Sequence, residues 1–138
     1  MKPDKIIRVK CSPESFYRAF LEILTPYHKL ASREKDVAAR VIAQRAKLMK
    51  SVSDPEVLKE VLWSQTSRND MRESLGISRE HFQLLLGKLR RCGILVDGGV
   101  DPRYVPKMTD EPRFFLGVLF DWSSPDNPAT PSEASDET

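Results

Sequence analysis

Residues 67–94 read SRNDMRESLGISREHFQLLLGKLRRCGI, and this stretch sets the expectations for the rest of the chain. It parses as two short helices broken by a tight turn at Leu75-Gly76-Ile77-Ser78. Ser67 is placed to cap the first helix, with Asp70 in the first turn, where negative charge meets the positive end of the helix dipole. Gly76 stands where a chain leaving a helix most often needs positive φ, and Ser78 is placed to cap the helix that follows. That second helix, Arg79 to Arg91, carries Phe82, Leu85, Leu86 and Leu89 at spacings that put them on one face. Cys92-Gly93 ends it, after the basic pair Arg90-Arg91 that suits a helix C-terminus.

Working outward, Ile94-Leu95-Val96, a turn at Asp97-Gly98-Gly99 and a return through Val100 to Val105 carry the signal of a β-hairpin. Upstream, Ile6 to Lys10 is β-branched and weakly alternating, which predicts a short strand. Ser12-Pro13-Glu14 opens a helix predicted over 13–24, burying Phe16, Ala19, Phe20, Ile23 and Leu24 until Thr25-Pro26 stops it. Ser32 is expected to cap a helix striped by Val37, Ala38, Val41, Ile42, Arg45 and Leu48. Its other face carries Arg33, Lys35, Arg40, Lys47 and Lys50, read as a solvated surface with nucleic-acid contact as the alternative. Asp54-Pro55-Glu56 starts a third helix, apolar nearly all round through Val57, Leu58, Val61, Leu62 and Trp63, and expected to be the most buried. Downstream, Phe114-Phe115-Leu116-Gly117-Val118-Leu119-Phe120 reads as a strand apolar on both faces, which needs cover on both sides, from the Ile6 to Lys10 strand, from the helices or from another protomer. Residues 123–138, rich in Ser, Pro and acids, read as a disordered acidic tail.

The central stretch resembles the winged helix-turn-helix family of DNA-binding domains. Its usual apolar positions are filled by Met71, Leu75, Ile77, Phe82 and Leu85, its turn glycine by Gly76, and LRRCGIL is similar to the run that leads from the recognition helix into the wing. Arg72 stands where a small residue is usual, four before the glycine, so a wider or shifted helix crossing is expected. LASREKDVAARVI is similar, over about a dozen residues, to the opening of other helix-turn-helix regulators. In scale the chain also resembles the small winged-helix proteins of tailed bacteriophages and plasmids. The resemblance implies a mainly α fold with a small β component: about five helices, a β-hairpin wing and short terminal strands. It implies one domain over residues 1–122, with the helix-turn-helix at 67–91 and the wing at 94–105.

Composition narrows the function classes. At 138 residues, 40% hydrophobic and 30% charged, the chain has the profile of a soluble globular domain with a core of its own. No run of about 18 apolar residues is present, so no membrane span and no membrane partner are expected, and the N-terminus lacks a secretory pattern. An intracellular, cytoplasmic protein of a bacterial or phage-infected cell is the corresponding expectation. Cys11 and Cys92 form no C-x-x-C pair and read as free, partly buried thiols. The net charge of +2 is unevenly spread: residues 1–30 carry +3, 31–107 carry +5 and 108–138 carry −6. A basic body with an acidic end is compatible with nucleic-acid contact, and equally with a mixed solvated surface. The sequence has no G-x-x-x-x-G-K-S/T loop, no G-x-S-x-G turn and no metal-ligand spacing around His28 or His81, so no catalysis, metal or cofactor is expected.

If the second helix enters a major groove, its N-terminal turns meet the base edges and cations elsewhere hold phosphates. Arg79, Gln83 and His81 are then the candidates for bases, and Lys88, Arg90, Arg91 and, at the wing, Arg103 for phosphates. Arg90 and Arg91 serve equally well as partners of the helix dipole. Leu84 faces outward and suits a protein surface, or a thymine methyl, better than a phosphate. The leading expectation is a non-enzymatic double-stranded DNA-binding protein of transcription or replication. The alternative is a protein-interaction or virion-assembly module, or a homo-oligomer, using Leu84, Phe114, Phe115 and Leu119 within an interface that includes 114–120.

Overall fold

The structure, a computed structural model, describes residues 5–123, and the acidic tail beyond Ser123 lies outside the described residues. The chain divides between Pro106 and Lys107 into two units. The first is built from six helices and a two-stranded antiparallel hairpin: α1 (Phe16–Ile23), α2 (Thr25–His28), α3 (Ser32–Met49), α4 (Pro55–Leu62), α5 (Gln65–Leu75), α6 (Arg79–Arg91), β1 (Leu95–Val96) and β2 (Gly99–Val100), followed by a 3-10 turn at Pro102–Tyr104.

The longest helix, α3, is the hub, touching α1, α4, α5 and α6. Val37, Ala38, Val41 and Ile42 are buried along it, and the alanines let neighbouring helices approach closely. Against this stripe pack Phe20 and Leu21 of α1, Leu58 and Leu62 of α4, Met71 of α5, and Phe82, Leu86 and Leu89 of α6. The expectation that α4 would be the most buried helix is overturned. It is eight residues long and buries only Leu58 and Leu62, leaving Val57 at the surface. Apolar residues all round a short helix do not bury it when neighbours cover one side only.

The basic side of α3 is only in part the solvated face expected: Arg33, Lys47 and Lys50 are exposed, Arg40 is half-buried and Lys35 is not solvated. Lys35 is buried, its ammonium 2.9 Å from Glu22 and donating to Thr25 Oγ1. Arg40 donates to Ser74 Oγ at 2.6 Å, and Arg33 donates to the Leu75 carbonyl at 3.3 Å. Lys47 and Lys50 alone of the five are exposed and without such ties among the described residues.

Helix boundaries follow the capping residues, with three shifts. Ser12 does accept the Ser15 N–H, but it closes a turn, and α1 starts three residues later than expected. Pro26, with no N–H to give, breaks the α1 ladder, yet its fixed φ suits the first turn of a new helix, so α2 follows at once. Ala31, not Ser32, is the N-cap of α3; lacking a side-chain acceptor it forms half a capping box, the Glu34 carboxylate accepting the Ala31 N–H at 2.9 Å. Ser64, not Ser67, caps α5, and Ser67 is buried within that helix, its hydroxyl bonded to Gln44 Nε2 of α3 at 3.0 Å. Asp54 and Ser78 cap α4 and α6 as expected.

His28 is buried, and both of its ring nitrogens are hydrogen-bonded to backbone groups. Nε2–H donates to the Leu21 carbonyl at 2.8 Å, and Nδ1 accepts the Leu30 N–H at 3.0 Å. The ring lies beside Tyr104, which joins the α2 corner to the end of the first unit.

Neither terminal strand forms. Ile6 to Lys10 is exposed, without regular structure, and no neighbouring strand offers it a ladder. Residues 113–120 likewise have no regular secondary structure. Cys11, expected to be partly buried, is exposed, and Cys92 is half-buried at the end of α6. No helix among the described residues is long and apolar enough to cross a membrane.

Gly76 adopts φ 67°, ψ 37° at the end of α5, and its N–H bonds back to the Arg72 carbonyl at 2.7 Å. A Cβ here would meet nothing within 4 Å, so the cost of a side chain is the backbone conformation alone. Gly76→Ala is therefore expected to lower unfolding free energy by about 1 kcal/mol, and Gly76→Asn by less, in urea denaturation.

Candidate nucleic-acid interface

α5 and α6 are joined by Gly76-Ile77-Ser78 and each packs on α3, while contact between the two helices themselves is slight. Arg72, standing where a small residue would allow close approach, is half-buried between them and donates to Asn69 Oδ1 at 2.8 Å. A cleft of about 300 Å³ remains beside it. Trp63 and the edge of Phe82 give it apolar walls; Arg68, Arg72 and Arg79 supply charge; Gln65, Asn69 and Gln83 supply amides that both donate and accept. No carboxylate lines the cleft. Among the described residues none of its three arginines is within ion-pair distance of an acid.

The hairpin stands at one rim. Asp97 (φ 54°) and Gly98 (φ 78°) both take left-handed conformations, as a two-residue turn matched to strand twist requires. Leu95 pairs with Val100 and Val96 with Gly99, so the ladder is short, and the expected return to Val105 is replaced by the Pro102–Tyr104 turn. Proline at 102 and the Asp101 carboxylate, which accepts the Arg103 N–H, favour that turn over a strand. Trp63 Nε1 donates to the Gly98 carbonyl at 2.8 Å, pinning the hairpin tip to the residue that walls the cleft.

The seven cations and polar residues singled out from the sequence separate onto different flanks. Arg79, Gln83 and Arg90 share one side of α6 at spacings of four and seven, and the first two line the cleft. His81 and Lys88 lie on the other side. Lys88 is turned toward α3, with its ammonium 3.3 Å from Glu34. Arg91 and Leu84 occupy the outermost strip, where Leu84 is 59% exposed. Arg103 is exposed but held by Asp101 at 3.0 Å and stacked over Tyr104 at 5.8 Å from the ring centre. Its guanidinium draws the Asp101 carboxyl below the usual range. In the second unit Phe114 is half-buried, and Phe115 and Leu119 are exposed.

Sequence reading missed Arg68, Asn69, Gln65 and Trp63, and noted Arg72 only as an irregularity. The signal was available: Gln65, Arg68, Asn69 and Arg72 recur at three- and four-residue spacings on α5, which marks one face of a helix.

Glu34 couples the start of α3 to α6. Its carboxyl is held below the usual range, first by the Ala31 N–H and then by the Lys88 ammonium, against partial desolvation. A depressed folded-state pKa contributes stability that is complete above the unfolded value and is lost as pH falls through the folded one. Glu34→Gln should therefore flatten the acid limb of the stability curve as pH falls below the ordinary glutamate pKa, measured by urea unfolding at a series of pH values.

The first unit is a small, mainly helical domain with a short antiparallel hairpin, consistent in outline with winged-helix-like folds. No family model matches the chain, no curated protein is similar to it, and no solved structure matches it.

Proposed function

We propose that the chain is a winged helix-turn-helix protein that binds double-stranded DNA without enzymatic activity, in transcription or replication. The supporting observation is the cleft between α5 and α6, where three arginines without an ion pair among the described residues share one concavity with three amides. In this reading α6 enters the major groove by its N-terminal end. Arg79 donates to a guanine edge and Gln83 pairs with an adenine edge, each a two-pronged contact that the wrong base cannot return. Arg68 and Arg72, one helix earlier, hold backbone phosphates that set the register. Arg90 extends the same flank. Lys88 and Arg103 are already engaged with Glu34 and Asp101 and contribute less.

A second reading rests on Leu84. A leucine this exposed on the outer strip of α6 suits a protein surface, stabilising a contact by about 1.5–3 kcal/mol when covered. On that reading the same helix docks a protein, and its charged neighbours form the rim.

Fluorescence anisotropy with a labelled duplex across a salt series separates the two. DNA binding through about four cations gives a log–log salt slope near −4. Arg68→Ala with Arg79→Ala should weaken it at least about tenfold, while Lys88→Ala changes it by less than about threefold. Absence of duplex binding at low salt removes the DNA reading. Leu84→Asp, which leaves those cations in place, then tests the protein-docking reading.

A further inference from the structure

Residues 113–121 read RFFLGVLFD, nearly a palindrome in chemical type about Gly117. Reversing the segment exchanges Arg113 with Asp121, Phe114 with Phe120, Phe115 with Leu119 and Leu116 with Val118, while Gly117 stays in place. A strand with that property is complementary to a second copy of itself running antiparallel. We infer that this segment joins two copies of the chain as an antiparallel strand pair whose two-fold axis passes through Gly117.

In a two-fold contact, residue i meets j and j meets i, so each partner must present both halves of every pair. This segment does so. The register puts bulky apolar side chains opposite one another at three pairs of positions on each side of the axis. It closes both ends with an Arg113–Asp121 pair between the copies. Neither Arg113 nor Asp121 has an ion pair among the described residues. At the axis, where the backbones cross, stands the residue with no side chain, and a Cβ at Gly117 would meet nothing within 4 Å.

The surface is present and the ladder is open. Phe115, Val118, Leu119 and Phe120 are each at least two-thirds exposed. Residues 115–120 have no backbone hydrogen bond among the described residues. An apolar run of aromatic and aliphatic residues with unpaired backbone groups is what strand addition between chains consumes. The charge complementarity at 113 and 121 selects a second copy over an unrelated protein, because any other partner would have to match this pattern independently. The inference stands apart from the DNA reading and uses none of its residues.

Sedimentation of the full chain over a dilution series is the test. The wild type is expected to associate reversibly into dimers. Arg113→Asp alone, which sets Asp against Asp at both ends, should raise the half-association concentration about tenfold, as should Asp121→Arg alone. The double exchange Arg113→Asp with Asp121→Arg should restore it. A wild type that remains monomeric overturns the inference, as does association that the single changes leave untouched or the double change fails to restore. Cross-linking gives an independent readout of register. With Cys11 and Cys92 replaced by serine, Gly117→Cys should form an intermolecular disulfide readily and Leu119→Cys, which faces Phe115, should not. The reverse order of reactivity overturns the register.

Discussion

The relative placement of α5 and α6 is decided by a third helix. Neither packs closely on the other; both lean on α3, whose apolar stripe at Val37, Ala38, Val41 and Ile42 supplies the common floor. Polar ties from that same helix fix the assembly from its edges. Arg33 holds the Leu75 carbonyl, Arg40 holds Ser74, Gln44 holds Ser67 and Glu34 holds Lys88. The first two bind the C-terminal end of α5, one and two residues before Gly76, so the turn is fixed on the side where a chain leaving a helix is least constrained. With α5 and α6 held apart in this way, a cleft remains that Arg72 lines.

This arrangement sorts the cations into two populations that sequence does not distinguish. Lys35, Arg33, Arg40, Lys88 and Arg103 neutralise carboxylates or satisfy carbonyls and hydroxyls within the first unit. Arg68, Arg72 and Arg79 line a concavity without an acid. A polyanion, if one binds, would gain more from cations of the second kind, since drawing a paired lysine away from its carboxylate forfeits the interaction already made. The modest net charge of the chain thus understates how unevenly positive its surface is. Leu84, on the adjoining strip of α6, is the feature that a purely electrostatic account of that helix leaves over.

The two stretches expected to be strands teach the complementary lesson. Ile6 to Lys10 and Phe114 to Phe120 have the composition of strands, and neither forms one. A helix closes its hydrogen bonds within its own segment, so local sequence suffices to specify it. A strand is half of a structure, and its composition states only that it would pair well if a neighbour were present. The hairpin at Leu95 to Val100 succeeds because Asp97-Gly98 delivers the neighbour from three to five residues away.

What the sequence by itself determined is therefore local: the caps of α4 and α6 at Asp54 and Ser78, the left-handed Gly76, the inward face of α6 at Phe82, Leu85, Leu86 and Leu89, and the position of the hairpin. Each depends on interactions spanning five residues or fewer along the chain. The tertiary structure decided what depends on residues far apart in the chain. It made α3 rather than α4 the buried centre, and turned Ser67 from a cap into a buried partner of Gln44. It took Lys88 out of the outward set and brought Arg68 and Arg72 into one cleft with Arg79. Those outcomes turn on which side chain lies opposite which once helices pack, and helical periodicity gives a face but not its neighbour.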